Sequence, residues 1–259
     1  MAQIAIDGPV RVQPERGGLL DVANVIETVP AGLLYHGFKY ASANCGKNRV
    51  IPAEGEDKVP DQNGETEGVL FGAYRLVEGP LLVNRDGVKE AAVTAFNNSE
   101  SYGVERGVQT ELLNDLAVDI TPTPGTPITN PRHALGLLEQ HAADNYAGLP
   151  LIHGNKLAVL LIPELRVSDD FRLHTVHGTP ISNGGGYGTV GPGAANATAG
   201  RAWLYITGQV NVWRGPLNVY PDIDGAAYGL KENRSYALVE RKYGVSVECD
   251  YVAAVLVSI

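Results

Sequence analysis

Apolar and polar positions change their period several times along the chain, and the changes mark its elements. Residues 1 to 33 alternate short apolar stretches with Pro9, Pro14, the pair Gly17-Gly18 and Pro30. That is too broken for a core helix of any length, so the reading is an extended arm with one short helical patch, Leu19 to Ile26. From Leu34 to Val83 the pattern runs strand, long polar excursion, strand, with Leu34 to Tyr40 and Val69 to Val77 as the apolar arms of a hairpin. A two-stranded ribbon is marginal in water unless it leans on something else. The excursion sets Lys47, Arg49 and Lys58 against Glu54, Glu56, Asp57, Asp61, Glu65 and Glu67, which calls for solvent or a polar partner.

Residues 86 to 113 carry the longest helical period, with Asp86 as N-cap and Val88, Ala91, Ala92, Ala95, Phe96, Tyr102, Val104, Val108, Leu112 and Leu113 at mixed three and four spacing. Such a helix is about 42 Å long at about 1.5 Å per residue, long enough to brace a sheet. Gly103 and Gly107, costly in a helix interior, signal close packing or a bend. Asp119 to Thr129 holds three prolines and one glycine, a stiff crossing that marks a subdomain boundary. Asn130 then caps a second helix with Pro131 at its first position, followed by Leu135, Leu137, Leu138, Ala142 and Tyr146, with Gly148 beyond its end. The run 156 to 165 (KLAVLLIPEL) fits a buried strand or the end of a short helix, and periodicity alone does not decide. Asp170 to Val176 reads as a strand, and residues 182 to 200 as a glycine-rich loop, surface or pore-lining, without a core of its own. Strands resume at Ala202 to Thr207, Gln209 to Arg214, Leu217 to Val219 and Tyr236 to Arg241, before the largely apolar run Val245 to Ile259. The class is α+β.

Composition narrows the function. Charged residues are 19% of the 259, below the usual quarter, so much of the surface is neutral. A net charge of −9 argues against a broad basic face that gains affinity by releasing phosphate counterions. Cys45 and Cys249 lie far apart and in no CxxC pattern, which indicates neither a zinc site nor a disulfide framework and fits a reducing cytosol. The first 18 residues lack an apolar signal core, and no run approaches the roughly 18 to 20 apolar residues of a membrane span. The expectation is a soluble protein that is not exported. Tyr outnumbers the other aromatics, 12 against Phe 4 and Trp 2. Its apolar body and polar tip suit wet interfaces, which with the arm and hairpin favours an assembling protein; a Tyr-rich core is the alternative.

Candidate chemistry is thin. His174 and His177 follow Asp169 and Asp170, but i and i+3 on a strand face opposite sides and no third metal ligand has suitable spacing. Residues 186 to 191 (GYGTVG) match a dinucleotide fingerprint by letter, yet Pro192 and Gly193 stand where its helix would open. No GxxxxGK[ST], GxSxG or HExxH occurs. Glu111 and Asp115 share a helix face, read as solvated, and Cys45, near Lys47, has no assignable histidine partner, so it reads as a small half-buried residue. No enzyme activity, cofactor or metal is expected.

The order of arm, long hairpin, long helix, Pro-rich crossing, capped helix, glycine loop and terminal strands resembles the major capsid protein of tailed double-stranded-DNA phages, with the Hong Kong 97-type fold, particularly the short forms of actinobacterial phages. The residues that carry it are VKEAAVTAFNNSESYGVERGVQTELL (88 to 113), similar to that family's spine helix; ALGLLEQHAADNYAGLPLIHGNKLAVLL (134 to 161), similar to its A-domain helix and strand; and the closing segments LYITGQVNVWRGPLNVYP (204 to 221) and ALVERKYGVSVECDYVAAVLVSI (237 to 259).

The resemblance implies an N-arm (1 to 33), an E-loop hairpin (34 to 82), a P-domain with the spine helix (83 to 116 and 209 to 259) and an A-domain (117 to 208). It implies pentamers and hexamers in an icosahedral virion shell, built in the host cytoplasm with a separate scaffolding protein and a portal, enclosing double-stranded DNA without specific binding and touching no membrane. Arg11 and Arg16 in the arm, and Lys47, Arg49 and Lys58 in the hairpin, are then the candidate inter-subunit contacts. Lys39, Lys47 or Lys58 are the candidate donors if the Lys to Asn cross-link of some relatives is made. Deleting 1 to 30, or 44 to 66, is expected to leave a folded chain that does not assemble. The alternatives are an encapsulin-type nanocompartment shell and, from another class, a small α/β enzyme.

Overall fold

Two sheets share one long helix. The computed structural model describes residues 16–29, 32–42, 45–47, 64–80, 85–162, 165–168, 170, 172–221, 228–229 and 234–259. The first half of the chain gives α1 (Leu19–Val22), β1 (Asn24–Ile26), α2 (Leu33–His36), β2 (Phe38–Ala41), β3 (Glu65–Pro80) and α3 (Arg85–Val108). A π-helical turn (Gln109–Leu113), α4 (Asn114–Leu116), β4 (Val118–Asp119) and α5 (Pro131–Asn145) follow. The second half gives β5 (Leu151–Gly154), α6 (Lys156–Leu160), β6 (Arg166–Val167), β7 (Leu173–His174), β8 (Pro180–Ser182), β9 (Arg201–Thr207), β10 (Val210–Arg214), β11 (Asn218–Tyr220), β12 (Tyr228–Gly229), β13 (Arg234–Val247) and β14 (Val252–Ser258).

The first sheet runs β1-β10-β13-β3-β2, with β11 and β12 also on β13; the second runs β4-β14-β9-β5-β8-β7-β6. Strands β3 and β13 pair antiparallel from Val69 with Val245 to Pro80 with Arg234, a ribbon longer than either apolar run predicts. The period of two places Val69, Phe71, Ala73 and Val77 of β3 toward α3, together with Ala237, Val239, Tyr243 and Val245 of β13. The brace expected of the long helix is therefore present, on one face of the ribbon.

The second sheet is buried on both sides. Trp203, Tyr205, Val252, Ala254 and Leu256 face the end of α3 with Val104, Val108, Leu112 and Leu113. The alternate residues Ala202, Leu204, Ile206, Ala253, Val255 and Val257 face α5 and α6. Burial on both faces is why this part of the sequence reads as continuous apolar runs rather than as alternation. The run from Val245 is not one strand: β13 ends at Val247, and a turn at Glu248–Asp250 with Cys249 at φ 63° and Asp250 at φ 48° leads into β14.

Other expectations need correction. Leu34 to Tyr40 is a helical turn and then a strand, broken at Gly37, whose φ of 73° suits glycine. Leu19 to Ile26 is a helical turn and then a strand, with β1 paired to β10. The run at 156 is helix α6, capped by Asn155, whose side chain accepts from the Ala158 N–H at 2.8 Å. The strand expected over Asp170 to Val176 covers only Leu173–His174, and α3 starts at Arg85, one residue before the expected cap. Asn130 caps α5 as expected, accepting from Arg132 N–H at 3.0 Å. The Pro-rich crossing runs along β14, where the N–H groups of Ile120 and Ile128 donate to Ala254 and Leu256. Leu19 is fully buried in the main core, so deleting 1 to 30 would remove core, and 44 to 66 includes the first residues of β3. No described helix is long and apolar enough to cross a membrane.

Candidate functional site

Polar side chains set into the apolar stripe of α3 join the parts of the molecule. Glu100 stands between Phe96 and Val104 in that stripe and is 5% exposed. It accepts from Arg214 Nε at 2.8 Å, Arg241 Nη1 at 2.6 Å and the Tyr243 hydroxyl at 2.6 Å. Burial alone would raise its pKa, but the hydrogen bonds from Arg214 and Tyr243 and the charge of Arg241 outweigh it and hold the carboxyl below its ordinary value. Arg214 also reaches Glu27 at 2.9 Å, so β10, β13, α3 and the segment after β1 meet at one charged knot.

One turn on, Glu105 is fully buried. Its Oε1 accepts from the Leu19 N–H and the Ser101 hydroxyl, both at 3.0 Å, and its Oε2 from the Gly186 N–H at 2.9 Å. Gln109 accepts from Gly188 N–H and donates to the Val190 carbonyl at 2.8 Å. The glycine loop expected on a surface or in a pore is thus folded over α3, with Tyr187 and Ala197 in the core. Glycine is required there for approach: a Cβ on Gly186 would lie 2.3 Å from the Tyr102 carbonyl oxygen, and one on Gly107 would lie 2.4 Å from the Phe71 ring. Behind the loop, Ser182, Tyr187, His153 and Thr207 form a buried chain, with His153 within 2.9 Å of both the Tyr187 and Thr207 hydroxyls. Full burial pushes the His153 pKa down to about 3, so the ring is neutral.

Two groups of apolar side chains remain outside these cores. On the ribbon face turned away from α3, Tyr74 is 73% and Leu76 57% exposed. A cleft of about 350 Å³ opens beside them, lined by Leu34, Leu70, Tyr74, Glu240 and Lys242. On α6, Ala158 and Val159 point into the core, while Leu157 and Leu160 are exposed, as are Leu149 before β5 and Leu161 just after α6. Contiguous exposed apolar patches are where a candidate contact surface is sought.

Two of the candidate contact residues, Arg16 and Lys47, are among the described residues. Arg16 is exposed at the start of the segment that docks on α3, and Lys47 is exposed beside Cys45; Arg11, Arg49 and Lys58 lie outside the described residues. Lys39 pairs with Glu67 at 3.6 Å across β2 and β3. Glu111 and Asp115 are exposed, and His177 approaches Glu139 at 4.0 Å. Among the described residues no group of three or more His, Cys, Asp and Glu is placed to hold a metal.

The tyrosines divide: Tyr146, Tyr187, Tyr205 and Tyr243 are buried, and Tyr35, Tyr74 and Tyr102 are exposed. Each of the four buried hydroxyls is hydrogen-bonded, to Glu248, Ser182, Asn114 and Glu100 respectively. The expectation of no disulfide is wrong. Cys45 and Cys249 are bonded, with Cα atoms 5.2 Å apart across a sequence separation of 204. Sequence distance hides this pairing, because the hairpin carries Cys45 back to the turn between the sheets.

No protein-family model matches the sequence, and no curated protein matches it. Solved structures do. The capsid of a native GTA particle aligns over 100% of this chain and 96% of its own, with a TM-score of 0.58 at 11% identity. A chain of Gordonia phage Cozz aligns over 98% and 90%, with a TM-score of 0.52 at 13% identity. The SrpI encapsulin of Synechococcus elongatus PCC 7942 aligns over 98% and 91%, with a TM-score of 0.57 at 14% identity. The chain shares its fold with these structures along its length, as the resemblance to the Hong Kong 97-type fold implied.

Proposed function

We propose that the chain is a shell subunit, the major capsid protein of a tailed phage, and that it works as a wall rather than as a catalyst. The observation that supports this best is the likeness to a particle capsid across 100% of this chain and 96% of the other. Shared fold alone does not determine function, so the surfaces matter as well. An open ribbon face with Tyr74 and Leu76, and the exposed leucines around α6, lie on different elements. Two unlike patches suit heterologous contacts, which close into rings when repeated by rotation. The charge of −9 suits an inner wall that does not grip packaged DNA.

The finer reading is pentamers and hexamers in an icosahedral virion with a scaffolding protein and a portal, and the likeness to a particle capsid is what supports it. The encapsulin match favours a second reading, a nanocompartment shell around a protein cargo. Expression of the full chain followed by negative-stain electron microscopy tests the shell. Closed shells, tubes or ring capsomers are expected, and uniform small particles at every concentration, with or without a co-expressed scaffolding protein, would count against it. Nuclease-resistant DNA inside purified particles favours the virion reading, and a co-purifying enzyme the compartment.

A further inference from the structure

The ribbon end and the turn between the sheets meet through hydrogen bonds as well as through sulfur. The Ser42 N–H donates to the Gly64 carbonyl at 2.9 Å, closing the base of the excursion. The Cys249 N–H donates to Thr66 Oγ1 at 3.0 Å and Ser42 Oγ at 3.2 Å, and those two hydroxyls bond each other. The turn is fixed from its other side by Glu248, which is buried and accepts from the Tyr146 hydroxyl at 2.7 Å, with its N–H donating to Gln209 O at 2.9 Å. These contacts hold Cys249 against Ser42 and Thr66, at the strand ends that flank Cys45, and none of them needs the S–S bond. Both residues are half-buried rather than sealed in the interior, and a partly exposed thiol is the kind a small thiol or disulfide attacks.

We propose that Cys45 and Cys249 form a reversible redox clip, open as two thiols while the chain folds and assembles in a reducing compartment and closed afterwards by a low-molecular-weight disulfide of the glutathione type. In closing, one cysteine thiolate attacks the S–S bond of the small disulfide and one small thiolate leaves. The second cysteine thiolate then displaces the other. The protein loses two S–H protons and two electrons, and two small thiols are released. Because β14 begins at Val252 and β3 at Glu65, the closed clip fixes the ribbon end against the second sheet. Its consequence for a shell, resistance to dissociation after oxidation, rests on the function proposed above; the clip itself does not.

The test uses the full chain, purified reduced and then exposed to oxidised glutathione or kept in dithiothreitol. Thiol titration should fall from two per chain to none, peptide mapping should join Cys45 to Cys249 within one chain, and the thermal midpoint should rise on the order of 10 °C on oxidation. Cys45→Ser and Cys249→Ser should each melt near the reduced wild type and lose the redox response. Two titratable thiols after oxidation, bonds between chains instead of within one, or equal melting of the two redox forms would overturn the proposal. Shells assembled reduced and then oxidised should withstand more denaturant than shells left reduced. Failure to form shells in either redox state would count against the shell function, while the thiol count and melting shift on the same chain still judge the clip.

Discussion

At the scale of single residues, the decisive features are polar groups placed where apolar ones are the norm. His153 is neutral in the fold because burial depresses its pKa to about 3, against an ordinary value of 6.5. Above pH 6.5 the ring is neutral folded or unfolded, and the stability it permits is complete. As the pH falls below 6.5 the unfolded chain takes up the proton and the folded chain does not, so stability declines by about 1.4 kcal/mol per pH unit toward pH 3. Thermal melts at pH 7.5, 6 and 5 should show this slope in the wild type and a flatter one in His153→Gln. Parallel slopes would place the proton uptake elsewhere. Glu100 acts in a lower window: its carboxyl is held below the ordinary 4.5, so its contribution is present above that value and is lost as the pH falls further.

Among the elements, the glycine loop and α3 form one unit. Gly186→Ala forces a methyl group onto backbone at Tyr102 and is expected to cost about 1 to 3 kcal/mol. Gly136→Ala, in α5 with open space around it, should stabilise by about 1 kcal/mol. Opposite signs in denaturant melts check both, and a neutral Gly186→Ala would show that the loop is not clasped to the helix. Glu105→Ala strands the Leu19 and Gly186 N–H donors, at a cost of about 1 to 3 kcal/mol for each buried group left unpaired. Hydrogen exchange should then rise in α1 and in the loop together. Opening the Cys45–Cys249 bond, whose separation is 204 residues, is expected to remove at most about 5 kcal/mol by relaxing the unfolded chain.

For the whole molecule, the open ribbon face is where association and folding separate. Tyr74 and Leu76 are exposed, so Tyr74→Ser with Leu76→Asp should leave the melting of the dispersed chain within about 0.5 kcal/mol of wild type. The same pair is expected to abolish shells in electron micrographs. Shells from the double variant would remove this face from the assembly contacts.

Local patterns alone determined much of this protein. The period of the stripe from Val88 to Leu112 marked the long helix, Asn130 and Pro131 marked the start of α5, and the turn-rich stretches separated the strands. Those signals are legible because capping and periodicity act over a few residues. Glu100, Glu105 and Gln109 were not singled out by the pattern, because what makes them matter is partners far away in the chain. Only the tertiary structure decided that the glycine loop folds over α3 with Gly184, Gly186 and Tyr187 buried, that the run from Val245 breaks at Cys249, and that Cys45 meets Cys249. Each depends on surfaces brought together from distant parts of the chain. Glycine reads alike whether it supplies freedom or close approach, and a cysteine carries no mark of its partner until folding sets the two side by side.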